Sequence, residues 1–246
     1  MGVLEIRDLH KSFGGTKVIN GFSLDVTELT LCCLVGPNGA GKATTMDLIT
    51  GPQKPTSGSI VLRGDDITAL SEHEIAQRGI GRKFQVPAVF RELSVRQNFE
   101  VAYSREVNPF RNMLRRRPAG FTAKLDEVAT LTGLKDRLDV EAGFLSHGET
   151  QWLEIGMVLM QNPAILLLDE PVAGMTESEI EKTIVFLNEL KRTNTLIVVE
   201  HDMGFVRQIA DVVTVMHMGA FLAQGKLSDI ENDPRVREVY LGEPEV

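Results

Sequence analysis

The chain carries too little positive charge to suggest a nucleic-acid partner. Its 246 residues contain 26 Lys and Arg against 34 Asp and Glu, which gives a formal net charge of -8. Domains that bind nucleic acid usually present a basic surface, so the acidic balance argues against such a partner. A solvated acidic surface is the simpler interpretation.

Cysteine is also scarce, and long apolar runs are missing. The only cysteines, Cys32 and Cys33, are adjacent in a strand-like run, so they should point to opposite faces and not pair. We expect reduced thiols in a cytoplasmic compartment. No apolar run reaches the roughly 18 residues of a membrane-spanning helix, and residues 1–9 do not resemble a signal peptide. Membrane association is therefore expected only through a partner.

Apolar runs and turn residues predict a single α/β domain over residues 1–246. Partial alternation predicts two antiparallel strands, Val3–Leu9 and Val18–Val26, around Gly14–Gly15. A change to helical patterning predicts a helical subdomain inserted over residues 86–150. The other main predicted elements are a strand Thr30–Val35, a helix Gly41–Thr50, a helix Thr150–Met160, a strand Ala164–Leu168, a helix Glu177–Arg192 and a strand Leu196–Glu200.

Residues 36–44 fit the phosphate-binding loop pattern G-x-x-x-x-G-K-[ST] at every fixed position but the last. The loop follows a predicted strand and opens a predicted helix, which is the context that this motif requires. Backbone N–H groups and the helix dipole would bind phosphate oxygens, and Lys42 would reach the β- and γ-phosphates. The loop predicts a nucleoside triphosphate, bound by Gly36, Pro37, Asn38, Gly39, Ala40, Gly41, Lys42, Ala43 and Thr44.

Ala43 stands where the pattern carries a hydroxyl that ligates Mg²⁺. Mg²⁺ commonly keeps several waters, so one more water can replace the missing oxygen. Losing a hydrogen bond to a charged group costs on the order of 1.5–3 kcal/mol, and misplacing the metal would lower the rate more than binding. We therefore predict that nucleotide binding survives and hydrolysis is weakened, while Thr44 can still contact the α-phosphate.

A second motif is the apolar run 164–168 followed by Asp169 and Glu170. An apolar strand that ends in two acids is typical of a Walker B motif. Asp169 is expected to hold Mg²⁺ at the carboxyl end of the sheet, where ligands bind in open α/β folds. Glu170 is expected to polarise the attacking water.

A third motif, Leu145–Glu149, lies one predicted helix upstream of the Asp169 strand and resembles the LSGGQ signature of the ABC (ATP-binding cassette) ATPases. A serine before a helix is an N-terminal cap, and a helix N-terminus also binds anions. The resemblance implies that Ser146 and Gly148 close over the γ-phosphate held by a second cassette. His147 and Glu149 depart from the Gly and Gln of the signature.

The resemblance covers nearly the whole chain and implies roles for three more residues. Phe13 resembles the aromatic residue that stacks on adenine. Gln85 resembles the Q-loop glutamine, which contacts Mg²⁺ or water, and His201 resembles the switch histidine at the γ-phosphate. The implied fold is an α/β P-loop ABC nucleotide-binding domain with a RecA-like core, an antiparallel β layer and a helical subdomain. The implied cofactors are ATP and Mg²⁺, with Glu170, His201 and Gln85 in catalysis.

Finer stretches resemble one branch of the family, the urea-type importer ATPase of the branched-chain amino-acid-like importer group. These stretches are Gly79–Gln85, Ser146–Met157, Glu170–Met175, Glu200–Met203 and Asn232–Gly242. They imply a subunit whose ATP hydrolysis powers uptake of urea or short amides. Two alternatives stay open: the ATPase subunit of a branched-chain amino-acid importer, and an ATP-binding subunit with impaired hydrolysis, due to Ala43, that acts in assembly or regulation.

The resemblance also implies partners and a location. A second ABC ATPase subunit would complete a heterodimer, and membrane permease subunits would dock near Val89, Phe90, Leu93 and Val95. The chain would then lie at the cytoplasmic face of the inner or plasma membrane, held there by the permease. The transported substrate would not touch it.

Overall fold

The computed structural model describes residues 2–83, 89–103 and 120–241. The described chain contains ten strands and nine α-helices. The strands are β1 Leu4–Phe13, β2 Thr16–Val26, β3 Leu31–Val35, β4 Ser57–Leu62, β5 Asp65–Asp66, β6 Ile80–Arg82, β7 Ile165–Asp169, β8 Thr195–Val199, β9 Val212–His217 and β10 Ala220–Gly225. The α-helices are α1 Lys42–Thr50, α2 Glu72–Gln77, α3 Val95–Tyr103, α4 Phe121–Leu131, α5 His147–Leu159, α6 Glu177–Leu190, α7 Met203–Ile209, α8 Leu227–Asn232 and α9 Pro234–Leu241.

A six-stranded sheet positions the site. Its strand order is β10-β9-β3-β8-β7-β6, and every neighbouring pair is parallel except the antiparallel β9–β10 edge. All residues of β3, β7 and β8 are buried, as expected for apolar strands that are covered on both faces. The carboxyl ends of these three strands therefore meet at one edge, followed by the phosphate loop, Glu170 and Glu200.

The predicted antiparallel hairpin is confirmed, and its strands extend closer to the turn than the predicted ranges. β1 and β2 pair antiparallel around Gly14 and Gly15, and β4 and β5 extend the layer in the order β2-β1-β4-β5. His10 and Lys11 interrupt the apolar alternation, so the predicted first strand stopped at Leu9, whereas β1 continues to Phe13. Cross-strand pairing continues to Phe13, which places that residue beside the turn.

The two cysteines lie on opposite faces of β3, as predicted. Both thiols are free and buried. Cys33 packs in the cluster with α5, α6 and α7, whereas Cys32 packs in the cluster with α1 and the antiparallel layer. β3 thus separates two apolar cores.

The helix after the third motif begins earlier than predicted. α5 starts at His147, three residues before Thr150, and Ser146 is its N-cap. The reason is a capping box: the Ser146 hydroxyl accepts from the Glu149 N–H, and the Glu149 carboxylate accepts from the Ser146 N–H. The predicted helix began at Thr150, but the cap at Ser146 already fixes Gly148 in the first turn.

Part of the predicted docking face is wrong. Val95 is fully buried in the core at the start of α3, whereas Phe90 is 48% exposed. Gln85 lies outside the described residues, and the division at residues 86–150 stays a prediction. Among the residues described, no helix combines the length and apolar character needed to cross a membrane.

Candidate nucleotide-binding site

The phosphate loop connects the carboxyl end of β3 to α1. Gly41, the N-cap of α1, has φ of 100°, a conformation that glycine adopts without strain. A Cβ there would lie 2.7 Å from Ile19 Cδ1, and a Cβ at Gly36 would collide with the Met216 carbonyl. Both glycines are therefore needed for close packing, and they hold the loop against β2 and β9.

Lys42 folds back over this loop. Its ammonium donates to the carbonyls of Gly36 at 2.7 Å and Pro37 at 3.1 Å. Burial lowers the pKa of Lys42, and the nearby charges of Glu170 and Asp169 oppose that shift. The predicted phosphate ligand Lys42 is thus brought to the same place as the two acids that follow β7.

The two hydroxyls after Ala43 differ in their burial. Ala43 is exposed and Thr44 is half-buried. The fully buried Thr45 donates to the Gly41 carbonyl at 3.1 Å, inside the first turn of α1. Thr45 is therefore turned into the core, and Thr44 is the remaining hydroxyl beside Ala43.

A buried arginine links the loop helix to Asp169. Arg82, at the end of β6, lies 2.5 Å from Asp47 of α1 and 3.7 Å from Asp169. Burial raises the pKa of Asp169, and the Arg82 guanidinium opposes the shift. Asp169 is thus an ionisable carboxylate held between two cations, Arg82 and Lys42.

Glu170 and His201 meet at the carboxyl ends of β7 and β8. His201 Nδ1 lies 3.4 Å from Glu170 Oε1 and 3.9 Å from Glu200 Oε2. Glu170 has φ of 44°, a backbone conformation that is strained for a non-glycine residue and is often found at functional sites. The structure therefore brings together Lys42, Asp169, Glu170 and His201, as the motifs predicted.

Glu200 lies beneath His201 and was not predicted as a site residue. It is 1% exposed, burial raises its pKa, and its Oε2 accepts from the His201 N–H at 3.1 Å. The only sequence signal was an acid directly after an apolar strand. A charged residue at the end of a buried strand indicates that other residues of the fold hydrogen-bond to it, but the sequence did not show which ones.

Ser146 and Gly148 lie at the N-terminus of α5, as predicted for the third motif. The Ser146 hydroxyl donates to Glu179 Oε1 at 2.8 Å, and the Gly148 N–H donates to the same oxygen at 3.0 Å. Glu179 comes from the first turn of α6 and was also missed. The Thr-x-x-Glu spacing of residues 176–179 signals a capping box but does not predict the second contact.

The departures of the signature from LSGGQ have structural explanations. Glu149 completes the cap of α5 and accepts from Arg137 Nε at 3.0 Å. His147 Nε2 lies 3.1 Å from the Ala173 carbonyl. Glu149 therefore stabilises the N-terminus of α5, and His147 links that N-terminus to Ala173.

Phe13 lies at the end of β1 with 44% of its surface exposed. The Lys11 ammonium lies 4.8 Å from its ring centroid. A half-exposed aromatic ring beside a tight turn can stack on a planar ligand. Its exposure also argues against a packed core role for Phe13.

A separate cleft of about 590 Å³ opens between α2, β6 and α5. Lys83 and Glu154 lie in its wall, both 6% exposed, with Nζ and Oε2 3.7 Å apart. Burial lowers the pKa of Lys83 and raises that of Glu154. The cleft adjoins Arg82 but does not include the phosphate loop.

The fold and this constellation define an α/β nucleotide-binding domain of the phosphate-loop type. The family model described as "ABC transporter" matches residues 19–173. The chain is 36% identical to "High-affinity branched-chain amino acid transport ATP-binding protein BraF" of Pseudomonas aeruginosa, over 98% of each chain. It is also 36% identical, over 98% of each chain, to the LivG protein of Escherichia coli, which has the same description.

Solved structures agree with this likeness. The ADP conformation of MJ1267, an ATP-binding cassette of an ABC transporter, superposes with a TM-score of 0.87 and 29% identity, over 99% of this chain and 100% of that one. A nucleotide-free ATP-binding cassette gives 0.85 at the same identity. The chain belongs to the ABC transporter family, and it is an ATPase of the type that couples ATP hydrolysis to transport.

Proposed function

We propose that this chain is the ATP-binding and ATP-hydrolysing subunit of an importer, with the phosphate loop, Asp169, Glu170 and His201 as its working site. The observation that carries the proposal is the juxtaposition of Glu170 with His201, 3.4 Å apart, with Glu170 close enough to Lys42 for its charge to act on the pKa of that lysine. In this arrangement Lys42 binds the β- and γ-phosphates, and Glu170 orients and polarises the attacking water. His201 contacts the γ-phosphate, and the neighbouring carboxylates of Glu170 and Glu200 hold its ring in position.

Mg²⁺ would be held chiefly by Asp169. No cluster of three His, Cys, Asp or Glu side chains suited to a metal occurs in residues 2–83, 89–103 and 120–241, so water and phosphate oxygens would supply most ligands. Such a sparse protein contribution fits Mg²⁺, which dehydrates reluctantly. When bound, the metal would neutralise charge on the phosphates. Arg82 restrains the Asp169 carboxylate. A further water would replace the hydroxyl missing at Ala43, and Thr44 would contact the α-phosphate.

The transported substrate is inferred from relatives. The BraF and LivG proteins are described as branched-chain amino acid transport ATP-binding proteins, so a branched-chain amino acid importer is the better supported reading. Urea or short amides remain a second candidate because of the resemblance of Ser146–Met157. Uptake of labelled leucine and of labelled urea should be compared in cells that carry the wild-type chain or Glu170→Gln. The substrate whose uptake falls with Glu170→Gln is the one transported.

Partners follow from the same proposal. A second cassette, expected to be a different chain, would place its nucleotide over Ser146 and Gly148. Phe144, 79% exposed and two residues before Ser146, is an apolar side chain suited to burial by that partner. Permease subunits would dock beside the exposed Phe90. This arrangement puts the chain at the cytoplasmic face of the membrane without contact with the substrate.

The decisive experiment measures Mg²⁺-dependent ATP hydrolysis by the transporter assembly purified through a tag on this chain. Wild type, Ala43→Thr and Glu170→Gln are compared. We expect slow wild-type turnover, faster turnover with Ala43→Thr and loss of turnover with Glu170→Gln. Turnover in Ala43→Thr alone would favour an assembly or regulatory subunit. Unchanged turnover in Glu170→Gln would contradict the role of Glu170.

A further inference from the structure

One carboxylate of this chain occupies the N-terminus of the signature helix α5. Glu179 Oε1 accepts from the Ser146 hydroxyl at 2.8 Å and from the Gly148 N–H at 3.0 Å. Its other oxygen accepts from the N–H and hydroxyl of Thr176 at 3.0 and 2.9 Å. Glu179 thus caps its own helix, α6, with one oxygen and α5 with the other.

The backbone at residue 148 is shaped around this carboxylate. A Cβ on Gly148 would lie 2.6 Å from Glu179 Oε1 and 2.7 Å from its Cδ. Real Cβ atoms are not found so close to another heavy atom, so only glycine allows the contact without a shift. The glycine of the signature therefore allows Glu179 of the same chain to approach the backbone, in addition to any contact that it makes with a ligand.

The contact uses the donors that a phosphate would need. A serine hydroxyl has one proton to donate, and in Ser146 that proton is directed to Glu179. The hydrogen bonds from Thr176 and Ser146 lower the pKa of Glu179 to about 2. The carboxylate is therefore ionised at neutral pH, and its negative charge stands where a second anion would approach.

We propose that Glu179 is an internal competitor of the γ-phosphate, and that it must release Ser146 and Gly148 before the nucleotide on the second cassette can bind them. The inference rests on the proposed function, because it takes Ser146 and Gly148 as phosphate donors. Its consequence is that closure of the two cassettes replaces one anion by another. Glu179 thereby raises the ATP concentration at which closure, and hence turnover, is half-maximal.

Glu179→Gln tests the competition directly. Glutamine also serves at the third position of a capping box, so α6 keeps its cap while the negative charge is lost. Glu177→Gln is the matched control, because Glu177 is exposed in the same turn of α6 and loses the same charge. Glu179→Asp is a second variant, which keeps the charge but is one methylene too short to reach Gly148.

The measurement is the ATP dependence of hydrolysis by the assembly purified with its partner subunits, alongside the melting temperature of each variant. We expect the half-saturating ATP concentration to fall on the order of tenfold in Glu179→Gln, as for the loss of one charged hydrogen bond. Glu179→Asp should shift it in the same direction, and Glu177→Gln should match wild type.

Ser146→Ala separates failure of this inference from failure of the proposed function. If Ser146→Ala abolishes turnover while Glu179→Gln behaves like Glu177→Gln, the competition is wrong and the function stands. A higher half-saturating concentration or a lower kcat in Glu179→Gln would also overturn it, because Glu179 would then support closure. Wild-type turnover in Ser146→Ala would overturn the competition together with the role of Ser146 as a phosphate donor, and would leave the roles of Lys42, Glu170 and His201 to the Glu170→Gln test.

Discussion

Two helix N-termini in this chain use the same backbone groups in opposite ways. At α1 the N-cap is Gly41, with no capping side chain and no acid in the first turn of the helix. At α5 the N-cap is Ser146, and two carboxylates, Glu149 and Glu179, accept its side-chain and backbone donors. The first N-terminus is accompanied by a cation, Lys42, and the second by anions.

The difference shows that a helix N-terminus can either be left open for an anionic ligand or be capped by carboxylates of the same chain. The first N–H groups of a helix lack partners within the helix, and they carry the positive end of its dipole. At α1 the protein leaves them to a ligand and adds Lys42. At α5 it satisfies them internally, so any ligand must compete with Glu149 or Glu179. Binding at α1 is therefore expected to precede binding at α5.

The largest effect is expected beside α1, from Arg82→Ala. Arg82 lies between Asp47 and Asp169 with a side chain that is 9% exposed, so its removal takes an ion-pair partner from Asp169, whose side chain is 5% exposed. We expect the free energy of unfolding to fall by about 3 kcal/mol, measured by urea denaturation. The exposed Arg207→Ala is the control, and an equal loss there would refute the special position of Arg82.

Lys42→Ala should weaken ATP binding about tenfold to a hundredfold, as expected for loss of one charge-assisted contact. Isothermal titration with ATP at constant Mg²⁺ measures the affinity. Lys226→Ala, an exposed lysine far along the sequence, removes the same charge and should bind ATP as wild type does. Unchanged affinity in Lys42→Ala would mean that the α1 N-terminus binds phosphate without its cation.

Gly148→Ala tests the N-terminus of α5, where we expect a smaller loss of stability. The added methyl group would overlap Glu179, so we expect about 1–2 kcal/mol of destabilisation, typical of overpacking. The cost should largely disappear when Gly148→Ala is combined with Glu179→Ala. An additive double variant would show that the two residues are not in contact, since only neighbouring sites couple strongly.

The smallest effect concerns pH and the Glu179 cap. Its pKa falls from the ordinary 4.5 to about 2 in the folded chain, so its stabilisation is fully present above pH 4.5 and is lost as the pH falls toward 2. We expect wild type to be more stable than Glu179→Gln at neutral pH, with the difference shrinking over that range. Denaturation at several pH values measures it, and a pH-independent difference would contradict the ionised cap.

Much of the site could be predicted from the sequence because its motifs are local. The phosphate loop, the Asp169–Glu170 pair and the serine cap each occupy a few consecutive residues, and the pattern of apolar strands placed them at one sheet edge. The sequence missed Arg82, Glu179 and Glu200, which act through residues distant along the chain. It also placed Val95 on a surface, because an apolar residue at a helix start does not reveal which side is covered.

The sequence by itself determined the class of ligand, the order of the strands and helices that present it, and the missing hydroxyl at Ala43, since these depend on residue types and local spacing. Only the tertiary structure decided which charges face each other. Glu179 lies 31 residues after Gly148 in the chain, yet packing of α6 against α5 brings them into hydrogen-bond distance. Such contacts depend on how helices and strands are oriented in three dimensions, and no local pattern encodes that orientation.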